Sequence, residues 1–339
     1  MIRLLQAEAK GAILLLALAV LAPAGGRPVS PSNQIKPSDL VLAFMINPGE
    51  TELEGVILAD SLRKFGERTA KAEIWAFTPR SIESLGEKTR GRLDGLGVRT
   101  LSFAVEDQAL DFPLAPKVYA AAEAEARAEG RASILAWLDS DTLILGEPAA
   151  WILQAGKILG YRPVMHLLIG SPFDRPLDPF WTLVYDRCGV AEKRVFPMTT
   201  PVDEVRIRPY FNAGMLILRP ERGILRAWRE DFDRLYRDPI FEPFLKDDPR
   251  HAVFLHQAIL AGTILRLLEP KDLLEIPFPY NYSLQLYGQY PEAKRIRTLD
   301  NIVTARYDRL AILREDSAWR KSVLLDESFR VWLDGLIGR

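Results

Sequence analysis

The chain has 339 residues, with 44 Lys and Arg against 45 Asp and Glu, for a formal charge of −1. At roughly 100–200 residues per domain this length holds one large or two fused units, and 48% hydrophobic with 26% charged residues excludes disorder, collagen and coiled coil. Balanced charge argues against a nucleic-acid partner. The single Cys188 cannot form an intrachain disulfide, and with only three histidines a Cys/His zinc set is poor, so carboxylates must hold most of any metal.

Arg3 and Lys10 flank the start of an apolar run, residues 11–24, that is shorter than the ~20 residues a membrane-spanning helix needs. Ala22-Pro23-Ala24 supplies small residues for signal-peptidase cleavage. Residues 1–26 therefore read as an export signal or short signal anchor, with a Pro/Ser-rich linker at 27–38. An amphipathic N-terminal extension is the alternative, since Glu8 sits in the charged region.

From Asp39 the pattern alternates strand and helix. LVLAFMI (40–46) is a continuous apolar run, as expected of a strand buried on both faces. A helix follows with Leu53, Val56, Ile57, Leu62 and Phe65 near 3.6 spacing. AEIWAF (72–77) and VRTLSF (98–103) read as strands two and three. Pro116 opens a helix that Gly130 closes, and SILAWL (133–138) is the next buried strand. Beyond it, MLIL (215–218) reads as a short strand, 221–236 as a helix with Leu225, Trp228 and Phe232 on one stripe, and 252–265 as another. The order predicts an α/β sheet, Rossmann-like in its first half, 39–145, with a mixed acceptor half at 146–310 and a helical tail at 311–339.

The informative segment is ILAWLDSDTLIL (134–145). Asp139 and Asp141 sit where a buried strand runs out, the place where ligands collect in open α/β sheets. Two carboxylates two positions apart in extended chain share a side and repel unless a cation or shared proton stands between them. A divalent cation suits such oxygens and bridges to phosphates. An acidic surface turn is the bland alternative. Haloacid-dehalogenase-like phosphatases also place Asp-x-Asp after a buried strand, but here about a hundred residues of α/β precede the motif and no later Gly-Asp-rich motif completes that site.

WLDSDTLIL, then RPYFNAGMLILRP (208–220), LHQAILAG (255–262) and FPYNYS (278–283) together resemble the nucleotide-sugar-dependent glycosyltransferases of the GT-A fold, glycogenin-like and lipopolysaccharide galactosyltransferase-like types being nearest. The resemblance covers about 39–308. It implies a single large domain with a Rossmann-like mixed sheet flanked by helices, and Mn²⁺ or Mg²⁺ held by Asp139 and Asp141 against the donor diphosphate. It further implies that Ile46 and Asn47 receive the base and ribose, that Lys117 lies near phosphate or sugar, and that Asn212 and Gly214 approach the donor sugar. Gln257 would bond a sugar hydroxyl or lie near the anomeric carbon, and His256 would be a base near neutral pH. A solvated charge at Lys117, a structural turn at 212–214 and a structural His256 are the respective alternatives. His166 and His251 read as structural or surface residues. The aromatics of FEPF (241–244) read as core, with an acceptor groove as the alternative.

Two departures stand out. The family's late His-containing metal motif falls on IVTARYDRL (302–310), where Arg306 and Tyr307 replace it, and His256 stands where an Asp usually precedes the Gln. A guanidinium at 306 can pair with diphosphate directly; the same change also suits a non-catalytic relative.

The resulting expectation is transfer of a hexosyl group from a nucleoside-diphosphate sugar, UDP-sugar favoured, to a hydroxyl acceptor. The alternatives are a catalytically reduced sugar- or nucleotide-binding relative and a nucleotidyltransferase, the latter weakened by the acidic NPGETELEG (47–55) after the first strand. The N-terminus implies export or membrane association, in the Golgi lumen if the source is eukaryotic.

Overall fold

The apolar stretches become adjacent strands in the computed structural model, which describes residues 39–49, 51–314 and 316–338. In chain order the strands are β1 (Leu40–Met45), β2 (Glu73–Pro79), β3 (Val98–Phe103), β4 (Ile134–Leu138), β5 (Thr142–Ile144), β6 (Leu159–Pro163), β7 (Met198–Thr199), β8 (Arg206–Ile207), β9 (Phe211–Leu218), β10 (Leu273–Glu275), β11 (Tyr282–Ser283) and β12 (Thr304–Arg306). The α-helices are α1 (Glu52–Phe65), α2 (Glu87–Gly95), α3 (Asp107–Leu110), α4 (Ala115–Ala128), α5 (Pro179–Cys188), α6 (Ile224–Leu235), α7 (Glu242–Asp247), α8 (Pro249–Leu267), α9 (Ala318–Ser322) and α10 (Glu327–Ile337). The expected export segment and linker, 1–38, lie outside the described residues. Among the described residues no helix is long and apolar enough to cross a membrane.

A seven-stranded sheet runs β10-β6-β9-β4-β1-β2-β3. Neighbours from β4 to β3 are parallel, β9 runs antiparallel to both β4 and β6, and β10 is parallel to β6. This is a mixed, helix-flanked α/β sheet in a single large unit, as expected. The two-residue alternation of a strand explains why the central runs are apolar throughout. Val41 and Ala43 of β1, with Leu135 and Trp137 of β4, join the core under α4, α6 and α8. Leu40, Leu42 and Phe44, with Ile134, Ala136 and Leu138, join the core under α1. The described residues form one compact unit.

Short strands escaped the sequence pattern. β6 and β10 complete the sheet edge, and β5 leaves the main sheet to pair antiparallel with β12, with β11 alongside. This small sheet carries the C-terminal helices on a third core that includes Leu143, Tyr282, Tyr307, Trp319 and Phe329. β9 begins at Phe211, four residues before the expected start, so Asn212 and Gly214 lie inside a strand whose eight residues are all buried, not in a turn. The helix expected at 221–236 starts at Ile224, because Gly223 at φ 65° ends a short 3₁₀ turn first. α8 starts a turn before the expected Ala252, since the Asp248 side chain accepts from Arg250 N and Pro249 occupies the first position.

Candidate active site

β4 ends at Leu138, and the chain turns through Asp139-Ser140-Asp141 into β5. Two backbone bonds pin the turn: Asp139 N donates to Gly214 O at 2.9 Å, and Tyr307 N donates to Asp141 O at 3.1 Å. The β5–β12 register sets Arg306 opposite Thr142. Strands separated by more than 150 residues thus deliver a guanidinium to the acidic turn.

The contacts are close. Arg306 Nη2 lies 2.8 Å from Asp141 Oδ2, 3.4 Å from Asp139 Oδ2 and 3.2 Å from Asp308 Oδ1. Lys117 Nζ, in the first turn of α4, lies 2.6 Å from Asp139 Oδ1. Burial alone would raise the Asp139 pKa, but Lys117 and then Arg306 outweigh it and hold the carboxyl below its ordinary value. Asp141 is raised: burial outweighs Arg306, and the Asp139 charge adds to it. The Arg306 guanidinium is held more firmly protonated, the three carboxylates overcoming its burial.

Glu54, in the first turn of α1, accepts a bond from Ser140 Oγ at 3.1 Å. Burial, reinforced by the Asp141 charge, pushes its carboxyl up to about 7. A Glu at that helix position ordinarily reads as a dipole partner, so nothing in the sequence singled it out. Asp308, at φ 59°, was likewise not singled out within the quoted 302–310 stretch.

Two clefts meet here. One, of about 270 Å³, is lined by Asn47, Thr51, Glu54, Lys117, Asp139 and Asp141. The other, of about 310 Å³, is lined by His166, Asn212, Phe254, Gln257, Ser283 and Gln285. Arg306 and Asp308 line both. A larger cleft of about 520 Å³ beside Tyr185 and Arg208 contains none of these carboxylates.

Most of the residues singled out in the sequence converge. Asn47 faces the first cleft, and its backbone N donates to Thr51 Oγ1 at 2.7 Å. Ile46 does not: its side chain is fully buried in the core under α1, packed so closely on Gly55 that any Cβ there would overlap it. Ile46 therefore offers no side chain to a nucleotide. Gly214 is required for close approach, since a Cβ would clash with Asp139 Oδ2 and come within 2.9 Å of Arg306 Nη1. Asn212 Oδ1 accepts from Gly214 N at 2.8 Å, and Gln257 Oε1 accepts from Ala213 N at 2.9 Å. With both oxygens committed to β9, the Asn212 NH₂ is left to the second cleft, while the Gln257 amide, which also lines it, lies against the Tyr210 hydroxyl.

His256 is a correction. It is buried, its Nδ1 lies 2.9 Å from Val253 O and therefore carries the proton, and its own carbonyl accepts from Trp228 Nε1. Burial, with Lys117 adding to it, pushes the imidazole down to about 3. It is neutral throughout the physiological range and too weak a base for the role the resemblance implied. His166 borders the second cleft, while His251 packs tilted against Phe180 and Phe241 packs in the main core.

The expected Mn²⁺ or Mg²⁺ fits this donor set poorly. A hard divalent ion takes about six oxygen ligands at close to 2 Å. Here the space between Asp139 and Asp141 holds a guanidinium nitrogen, the second Asp139 oxygen holds an ammonium, and among the described residues no three His, Cys, Asp or Glu side chains form a group able to hold a metal.

A family model described as the Rhodobacterales glycosyltransferase domain matches residues 42–267. No curated protein matches the sequence. Among solved structures, the chain is similar to the galactosyltransferase LgtC in complex with donor and acceptor sugar analogues, at 15% identity over 88% of this chain and 95% of that one, TM-score 0.48. It is similar also to apo WbbM, a bifunctional glycosyltransferase, at 10% identity over 86% and 52%, TM-score 0.48. Mouse xyloside xylosyltransferase 1 aligns at 14% identity over 80% and 98%, TM-score 0.43.

Proposed function

The chain belongs to the Rhodobacterales glycosyltransferase family, and from that premise we propose that it transfers a hexosyl group from a nucleoside-diphosphate sugar, UDP-sugar favoured, to a hydroxyl acceptor. One observation carries the assignment of roles: two adjoining clefts share Arg306 and Asp308 at their junction. The first cleft takes the nucleotide along Asn47 and Thr51. Its diphosphate lies toward Lys117 and Arg306. The second cleft takes the donor sugar and acceptor, with the NH₂ groups of Asn212 and Gln257 as donors to sugar hydroxyls.

Transfer breaks the bond between the anomeric carbon and the diphosphate oxygen, whose electron pair leaves with the diphosphate, and forms a bond from that carbon to the acceptor hydroxyl oxygen, whose proton passes to the departing diphosphate or to water. The protein's part is to orient two substrates and to stabilise that charge with groups already in place. Lys117 is buried, Arg306 is partly buried, and both are fixed by carboxylates, so little reorganisation is needed as the charge develops. Gly214 lets β9 approach the junction closely. Export or membrane anchoring through residues 1–26 belongs to the proposal on the strength of the sequence alone.

The test is release of UDP from a panel of UDP-hexoses, with and without small hydroxyl acceptors. Acceptor-stimulated release supports the proposal. Binding of UDP-sugar without release in any combination would favour a catalytically reduced relative, a reading that the internally neutralised Asp139 and Asp141 make specific.

A further inference from the structure

We infer that Arg306 and Lys117 together serve in place of a divalent cation as the counter-charge for the donor diphosphate, and that Asp139 and Asp141 position these two cations rather than ligate a metal. The inference rests on the donor-binding reading above and concerns how that same site holds its ligand.

The geometry carries it. Arg306 Nη2 stands between the two Asp side chains, within 3.4 Å of carboxylate oxygens from Asp139, Asp141 and Asp308. The guanidinium does not reach in on a loose arm. It stands on β12, whose pairing with β5 fixes its origin, and the adjacent Tyr307 N is bonded to the Asp141 carbonyl. Gly214 closes the site from β9, leaving no room between Asp139 and Arg306 even for a methyl group. To enter, a divalent ion would have to expel a partly buried, carboxylate-held guanidinium while facing the Lys117 ammonium on the other Asp139 oxygen.

Within the cluster, Asp139 and Asp141 are matched by Lys117 and Arg306, and Asp308 and Glu54 are the acids left over at the cleft. Favourable potential for an anion comes from α4, whose N-terminus has no side-chain cap while Leu114 and Lys117 at that end line the first cleft. Of the three carboxylates on Nη2, Asp308 is the most exposed, at 34% for its side chain. Exposed pairs are worth little, so Asp308 is the partner that a phosphate oxygen displaces, exchanging one charge-assisted bond for another.

The experiment measures binding of inorganic pyrophosphate and of UDP to the full chain by calorimetry, in EDTA and again in Mn²⁺ or Mg²⁺. The expected result is equal affinity in all conditions to within about twofold, and a loss of about tenfold or more in Arg306→Ala. In Arg306→His, which restores a metal-ligating side chain, binding is expected to fail in EDTA and return with Mn²⁺, and the variant alone is expected to quench the electron paramagnetic resonance signal of free Mn²⁺. Wild-type binding that requires Mn²⁺ would overturn this inference while leaving the donor-binding reading intact. Absence of UDP and pyrophosphate binding in every condition would overturn both. The wild-type comparison holds even where a variant fails to fold.

Discussion

Lys117 and Asp139 form a 2.6 Å ion pair that ties the first turn of α4 to the end of β4, with both side chains largely withdrawn from water. Removing one partner of a buried pair leaves an uncompensated charge. Lys117→Ala is therefore expected to destabilise the fold by about 3 kcal/mol, the low end of such losses because Arg306 also serves Asp139. Lys117→Ala combined with Asp139→Asn should recover most of that stability in urea unfolding but none of the diphosphate affinity. Full additivity of the two single losses would show that the pair does not couple.

Gly214→Ala tests the closeness of the junction from the other side. The added Cβ overlaps Asp139 Oδ2 and crowds Arg306 Nη1, so one carboxylate must shift off its cation. Overpacking of this kind costs about 1–3 kcal/mol. UDP affinity should fall about tenfold while far-ultraviolet circular dichroism is unchanged. Unaltered affinity would mean that the Asp139–Arg306 spacing is irrelevant to the ligand.

Much of this architecture was legible before any coordinates. The four central strands announce themselves because both faces are buried, so every residue of β4 is apolar and Asp139 marks its end abruptly. Lys117, Asp139, Asp141 and Arg306 were each expected near the diphosphate, yet their direct pairing with one another was not. Arg306 and Asp141 are 165 positions apart, and only the β5–β12 pairing joins them. β5 and β12 are three residues each, too short to carry a period. The character of His256 was hidden for a similar reason: helical spacing shows that it is on α8, but α6, by placing Trp228 against it, helps make it a buried neutral ring.

Two buried titrations act on stability in opposite directions. Glu54 has a folded-state pKa raised to about 7 from 4.5, so the folded state binds more protons than the unfolded between those values and stability falls as pH rises through the window. His256 is lowered to about 3 from 6.5, so the unfolded state takes up the proton first and stability falls as pH drops below 6.5. Thermal unfolding from pH 4 to 8 should accordingly show that Glu54→Gln flattens the decline toward pH 7. In wild type, the His256 ring signal in nuclear magnetic resonance should stay unprotonated down to pH 5. A His256 titration near 6.5 would restore it as a candidate base.

Gln257 and Asn212 separate donor binding from transfer. Both line the second cleft and neither lines the first, so a nucleotide alone should not sense them. Each also supports β9 through its side-chain oxygen, which makes an alanine variant ambiguous: Gln257→Ala strands the buried Ala213 N–H at a cost of about 1–3 kcal/mol. Gln257→Glu keeps an oxygen for that N–H and exchanges the NH₂ for a second oxygen, which brings a carboxylate charge to the second cleft. If the NH₂ holds a sugar hydroxyl, Gln257→Glu should bind UDP as wild type does and lose about a hundredfold in kcat for acceptor-dependent transfer. Wild-type kcat in Gln257→Glu would confine Gln257 to holding β9, and equal losses in UDP affinity and kcat would place the nucleotide in the second cleft instead.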